Sequence, residues 1–220
     1  MNKIHLLDNG LINKIAAGEV VERPASVVKE LMENSIDAGA TSITVEIAEG
    51  GTSVIKITDN GKGIPKDEIR TAFMRHATSK IDSFEDLENV LTLGFRGEAL
   101  SSIASVAQVE MLTRTENDSM GTRIVINGGV VDREEECAAN VGTVFYVKNI
   151  FFNTPARRKF LKKPATEGSY ISEIVNRIAL GHPNIAIKYI NNGNIVLQTI
   201  GDGNVKNSLF YIYGKDIASK

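Results

Sequence analysis

The stretch 24–39, PASVVKELMENSIDAG, decides how this chain is read. Pro24 suits a first helical turn, where its missing N–H would be unpaired anyway, and Gly39 suits the left-handed residue just past a helix end. The spacing predicts a helix of about four turns between them. Val27, Val28, Leu31, Met32 and Ser35 recur at the spacing of a buried face, while Lys29, Glu30, Glu33, Asn34 and Asp37 fall on the opposite side. That polar side is unusual. Its carboxylates stack one turn apart with Lys29 as the only positive neighbour, which costs an isolated helix roughly a few tenths of a kcal/mol, and Asn34 is a poor interior helix residue. One reading is a solvated helix face. The other has Glu30 and Asn34 pointing together into a site that holds a hard cation and a water to be activated.

The flanking sequence adds to the second reading. Upstream, INKIAAGEV predicts a short helix from about Ile12 to Ala17 with Gly18 as its stop, packed as an N-terminal arm. Downstream, Ser42 to Glu49 and Ser53 to Thr58 alternate apolar and polar residues around Gly50 and Gly51, the pattern of a hairpin. Its second strand runs into DNGKGIP, where Asp59 precedes two glycines, a turn that can bring backbone very close to a ligand or serve simply as a turn. A short helix is expected over 66–75. HATSKI then offers Thr78, Ser79 and Lys80 in a row, and Ser83 with Asp86 resembles a capping box that starts another helix. In LTLGFRGEAL, Gly94 and Gly97 bracket Phe95 and Arg96 before a helix beginning near Glu98. Backbone N–H groups at such a helix start make an anion site, although a tight turn would need the same glycines.

Strands are predicted again over Gln108–Thr115, Thr122–Asn127, Val130–Arg133 and Thr143–Lys148, then a helix over Thr166–Leu180 and strands over Ile185–Ile190 and Ile195–Ile200. Helices and an antiparallel sheet are thus segregated, the α+β two-layer pattern. Between them, IFFNTPARRKFLKK crowds Arg157, Arg158, Lys159, Lys162 and Lys163 into seven positions. These charges could meet phosphates, or Arg157 or Arg158 could pair with an internal carboxylate. Residues 205–220 read as the start of a new element, as if the chain were a piece of a longer one.

Composition bounds the rest. A net charge of −2 over 220 residues excludes whole-chain electrostatic affinity for nucleic acid or membrane, leaving only a local patch. The single Cys137 excludes an intrachain disulfide and a multi-cysteine zinc site. With no signal-like apolar stretch and no run near the roughly 18 apolar residues of a membrane span, a cytoplasmic protein is expected.

The helix carboxylate and Asn, the strand-end DNGKG, TSK and GFRGEAL stand in an order that resembles the ATP-binding domain of the GHKL class, which includes gyrase, Hsp90 and sensor histidine kinases. IAAGEVVERPASVVKELMENSIDAGA, DNGKGI, RHATSKI, LGFRGEAL and NTPARRKFL are similar to the signatures of one branch, the MutL family of DNA mismatch repair proteins, over about Ile4 to Gly201. No Walker A sequence occurs, and no GxGxxG follows a strand in a βαβ unit. The resemblance implies a two-layer α/β sandwich, a mostly antiparallel sheet with helices on one face, over residues 1–200, and a second, transducer domain opening at 201–220. It implies that Glu30 is the general base, that Asn34 ligates Mg²⁺ bridging the triphosphate, that Asp59 accepts from the adenine amino group, and that Gly63 lets the ring lie against backbone. Thr78, Ser79 and Lys80 would belong to a lid over the phosphates. Gly94, Phe95, Arg96, Gly97, Glu98, Ala99 and Leu100 would form the helix start that holds the β- and γ-phosphates, and Thr143 would bond near the adenine. The family's γ-phosphate lysine comes from a second domain, further along than residue 220, so hydrolysis by these residues alone is expected to be weak.

Functionally, the resemblance implies a Mg²⁺-dependent ATPase in mismatch repair, with an ATP-ordered lid and an ATP-dependent homodimer. A MutS-type mismatch recognition protein and DNA would be its partners, the DNA held weakly and without sequence preference by the Arg157–Lys163 cluster. The alternative is a module that mainly binds ATP and dimerises, with little hydrolysis. A sensor-kinase reading lacks a preceding phosphoacceptor helix pair, and NTPARRKFL disfavours a chaperone.

Overall fold

The computed structural model describes residues 6, 8–78 and 97–214. Among the described residues eight strands form one sheet: β1 (Ser42–Ala48), β2 (Val54–Asp59), β3 (Gln108–Arg114), β4 (Gly121–Asn127), β5 (Val130–Cys137), β6 (Gly142–Lys148), β7 (Ala186–Asn191) and β8 (Asn194–Gln198). Their order is β5-β4-β3-β6-β2-β1-β7-β8, antiparallel throughout except where β7 pairs parallel to β1. The helices are α1 (Asn9–Val20), α2 (Pro24–Asp37), α3 (Ile69–Ala72), α4 (Ala99–Val106), α5 (Pro155–Phe160), α6 (Pro164–Gly181) and α7 (Val205–Tyr213). This is the expected α+β architecture.

The alternation in the strands sorts the two faces of the sheet. Ile47, Ile55, Val147, Val109 and Ile126 sit in register across β1, β2, β6, β3 and β4, all buried against the helices. The outer face carries charge instead. Lys56 pairs with Glu46 at 2.6 Å, and Glu110 is shared by Arg123 at 2.8 Å and Lys148 at 3.1 Å. Helix α2 lies where its sequence places it. Val27, Val28, Leu31, Met32 and Ser35 are buried, α2 packs on β2 and α6, and the chain leaves through Gly39 at φ 75° with the Ala40 N–H bonded to the Ser35 carbonyl at 3.0 Å.

Three local expectations are corrected. Gly18 does not stop α1, which runs on to Val20. The helix expected over 66–75 is a single turn, Ile69–Ala72. The basic segment, read as no element, forms α5, with Pro155 in the first turn where a missing N–H costs nothing. Helix α7 packs on α6 and on β8. The helix predicted to start at Ser83 lies outside the described residues.

Candidate functional site

The inner face of the sheet is apolar at one end and polar at the other. Two register steps from the Ile47 row, Ile43 on β1 lies beside Asp59 on β2, Thr143 on β6, Thr113 on β3 and Thr122 on β4. Asp59, Thr143, Thr113 and Thr122 are all buried. Burying polar groups costs free energy unless they are hydrogen-bonded, and the bonds are there. Asp59 Oδ1 accepts from the Gly61 N–H at 2.9 Å and Oδ2 from the Ser35 hydroxyl at 2.8 Å. The Thr113 hydroxyl donates to the Gly142 carbonyl at 3.1 Å, accepts from the Ile64 N–H at 2.9 Å, and lies 3.2 Å from the Thr143 hydroxyl. Burial pushes the Asp59 carboxyl above the ordinary carboxylate range, and bonds from Gly61, Ser35 and the Thr143 backbone only partly offset it. Such a carboxyl keeps an acceptor for a donor arriving from the cleft.

Glycines let the backbone close around this row. Gly63 has φ 72°, and a Cβ there would lie 2.2 Å from the Arg114 carbonyl oxygen. Packing against the end of β3 therefore requires glycine at 63 before any ligand is considered. Gly142 has φ 115° and would place a Cβ 2.2 Å from the Asp59 carbonyl oxygen. Gly142→Ala should therefore cost about 1–3 kcal/mol in backbone strain alone, lowering the thermal midpoint by several degrees at about 2–4 °C per kcal/mol for a chain of this size. An unchanged midpoint in a thermal melt would show that β6 can shift away from Asp59.

The polar face of α2 forms the adjoining wall. Lys29 Nζ bridges two carboxylates, 2.8 Å from Glu33 and 3.3 Å from Glu30. Burial alone would lower the Lys29 pKa, but the bonds and charges of Glu33 and Glu30 prevail and raise it. Glu30, Asn34, Ser35 and Asp37 from α2 line one cleft together with Asp59, Gly63, Thr78 and Thr143.

The same cleft is also lined by Gly97, Glu98, Ala99 and Leu100, with Glu19 and Val20 from α1. Gly97 has φ 63° and lies against Ala77, so residues 77 and 97 meet there. Glu98 occupies the N-cap of α4 without a capping bond. Its carboxylate turns to Arg75 at 3.3 Å and to His76 at 3.2 Å, and Arg75 also reaches Asn13 on α1 at 3.5 Å.

One cleft thus gathers Glu30, Asn34, Asp59, Gly63, Thr78, Gly97, Glu98, Ala99, Leu100 and Thr143 from segments far apart in sequence. Ser79, Lys80, Gly94, Phe95 and Arg96 lie outside the described residues. The basic cluster stands apart from the cleft. Arg158, Lys159, Lys162 and Lys163 are exposed, whereas half-buried Arg157 donates to the Ile15 carbonyl at 3.1 Å. Among the described residues the internal partner of Arg157 is therefore a helix carbonyl and not a carboxylate. Sequence reasoning missed Ser35 and Thr113 as site residues. Ser35 sits on the apolar stripe by spacing, and only a hydroxyl among the aliphatic residues of α2 hinted at a bonding role.

Residues 22–141 match the model of the histidine kinase-, DNA gyrase B-, and HSP90-like ATPase family. The chain is 58% identical over 219 residues to a DNA mismatch repair protein MutL of Agathobacter rectalis, and 54% identical over 219 residues to that of Caldanaerobacter subterraneus subsp. tengcongensis. Each alignment covers 100% of this chain, but only 34% and 37% of the respective relative, so the chain spans about a third of the curated relatives it matches. Among solved structures it resembles the Aquifex aeolicus MutL ATPase domain complexed with ADP, at a TM-score of 0.73 and 31% identity, covering 88% of this chain and 70% of that one. On this family match, these identities and this structural likeness, the chain belongs to the histidine kinase-, DNA gyrase B- and HSP90-like ATPase family, in its MutL branch.

Proposed function

We propose that the cleft binds ATP with Mg²⁺ and hydrolyses it as part of DNA mismatch repair. The observation that carries this reading is the buried Asp59 carboxyl, held by Ser35 and Gly61 at the floor of a cleft whose adjoining wall presents Glu30 and Asn34. In this reading Asp59 accepts from the adenine amino group, Thr143 and Gly63 border the base, and the amides from Gly97 to Leu100 meet the phosphates, with Gly94, Phe95 and Arg96 preceding them. Glu30 takes the proton of the attacking water as the bond between the γ-phosphorus and its bridging oxygen breaks.

The residues present fit a divalent cation of the magnesium type. Among the described residues no group of three or more His, Cys, Asp or Glu converges as a cage. Asn34 offers a hard carboxamide oxygen on the cleft wall beside Glu30, and Mg²⁺ is commonly held by one or two protein groups plus substrate phosphates and water. When bound, the ion would neutralise charge on the phosphates.

The same residues also serve a reading in which ATP acts mainly as a ligand. It would order Thr78, Ser79 and Lys80 over the phosphates and promote homodimer closure, with slow hydrolysis. A thermal-shift titration with ATP, ADP and adenosine, with and without Mg²⁺, tests nucleotide binding. A ligand at about a hundred times its Kd should stabilise the fold by about 2.7 kcal/mol. No shift with any of the three would refute the proposal.

We extend the proposal to partners, a MutS-type protein and DNA, and to residues 201–220 as the opening of a second domain. A cytoplasmic setting is consistent with the described helices, none of which is long and apolar enough to cross a membrane. DNA contact would fall on exposed Arg158, Lys159, Lys162 and Lys163. Replacing Lys162 and Lys163 together with Glu should weaken DNA binding at low salt and flatten its salt dependence, by about one unit of log–log slope for each phosphate no longer neutralised. Thermal stability should barely change, since exposed charges contribute little. Unchanged DNA affinity in the double variant would remove both lysines from the surface.

A further inference from the structure

Glycine inside a helix is destabilising by roughly 0.5–1 kcal/mol relative to alanine, so Gly18 within α1 calls for a reason. Arg157 supplies one. A Cβ on Gly18 would lie 2.0 Å from Arg157 Nη2, the nitrogen that donates to the Ile15 carbonyl at 3.1 Å. The guanidinium of α5 is thus seated against the bare backbone of α1, and its Nη1 is buried with no hydrogen-bond partner among the described residues. Just beyond this seat, Glu19 and Val20 line the cleft, and α1 packs along α4, whose first residues line it too.

We propose that Arg157 is a positioning residue for the phosphate end of the nucleotide cleft. It clamps α1 through Ile15 and Gly18, and so fixes Glu19, Val20 and the start of α4 relative to one another. The clamp acts on α1 and the start of α4, whereas Asp59 lies on β2, so it should govern binding of the triphosphate and leave the base contacts alone. This rests on the reading of the Gly97–Leu100 segment as the phosphate site.

The test compares affinities for ATP with Mg²⁺ and for adenosine in the same 220-residue chain. The parent should bind ATP more tightly than adenosine. Arg157→Ala should lose about threefold or more in ATP affinity, within the range that residues coupling to a site without touching the ligand can supply, while adenosine affinity holds. Gly18→Ala should act in the same direction from the other side, by displacing the guanidinium. Once the guanidinium is absent the added methyl has room, so the double variant should be no worse than Arg157→Ala, a non-additive cycle. Arg157→Lys keeps the charge but not the fork, and should restore little.

Equal losses for ATP and adenosine, no loss for either, additive single effects, or full rescue by Arg157→Lys would each overturn the clamp. A parent that does not prefer ATP to adenosine would instead show that the phosphate-end reading itself is wrong. Thermal melts of all four variants separate these outcomes from unfolding, because a variant that has lost its fold loses both ligands.

Discussion

Replacing Glu30 with alanine should leave ATP binding in place and all but abolish hydrolysis. A group that removes a proton from the attacking water acts in the transition state and hardly at all in the ground state, so turnover should fall by roughly 10² or more with little change in affinity. Glu33 lies one turn along α2 and shares Lys29 with Glu30, 2.8 Å and 3.3 Å from its Nζ respectively. A carboxylate in the neighbourhood therefore survives the substitution, and its failure to rescue would mark Glu30 as the group correctly placed. Asn34→Ala should behave differently, losing the Mg²⁺-dependent part of nucleotide affinity as well as turnover. Phosphate release measured with enzyme in excess over ATP makes slow hydrolysis readable. Equal rates in the parent and Glu30→Ala would return this face of α2 to solvent.

The second large effect is at Asp59, where asparagine should weaken ATP binding by roughly 1.5–3 kcal/mol, the worth of a hydrogen bond involving a charged group. The fold should tolerate the change. Ser35 Oγ already lies 3.0 Å from the Leu31 carbonyl as well as 2.8 Å from Asp59 Oδ2, so with an amide at 59 it can donate to Leu31 and accept from the new NH₂. The amide oxygen can still accept from Gly61, which leaves the adenine amino group facing a donor in place of an acceptor.

Ligand-free stability should move the other way. Burial raises the Asp59 pKa above 3.8 in the folded chain, so the folded state binds the proton more tightly than the unfolded one, and stability falls as pH climbs from the unfolded pKa through the folded one. Above that window the parent carries the full cost of a buried carboxylate, which Asp59→Asn lacks. The variant should then melt at or above the parent's midpoint at neutral pH and lose that advantage as pH falls toward 3.8. A variant that binds ATP as tightly as the parent would exclude Asp59 as the adenine reader.

How much of this was legible in the sequence varies from element to element. Helix α2 was readable because its apolar period, its Pro24 start and its Gly39 exit are all local. The hairpin and the strands followed from their two-residue alternation for the same reason. What the residues alone did not carry is juxtaposition. Asp59, Thr143 and Thr113 share a row through pairings between strands far apart in the chain, and β7 joins β1 in parallel after a long excursion. No local pattern specifies either. The family resemblance supplied those neighbours in advance, for the residues its signatures contain. It was silent on Ser35 and Thr113 as bonding groups. Gly18 was misread because a glycine near the end of a helical pattern usually ends it, whereas here it makes room for a side chain 139 residues away, Arg157. The sequence left open whether Arg157 or Arg158 turns inward, and only the fold shows that it is Arg157, because a run of basic residues does not reveal which member does so.

The most direct measurement is a crystal structure of this chain with Mg²⁺ and a non-hydrolysable ATP analogue. The expected result has the adenine amino nitrogen within about 3 Å of an Asp59 carboxyl oxygen, the phosphates at the amides of Gly97 to Leu100, and the cation on Asn34. An adenine bound elsewhere in the cleft, or a triphosphate whose terminal phosphate lies at the Asp59 end, would contradict it.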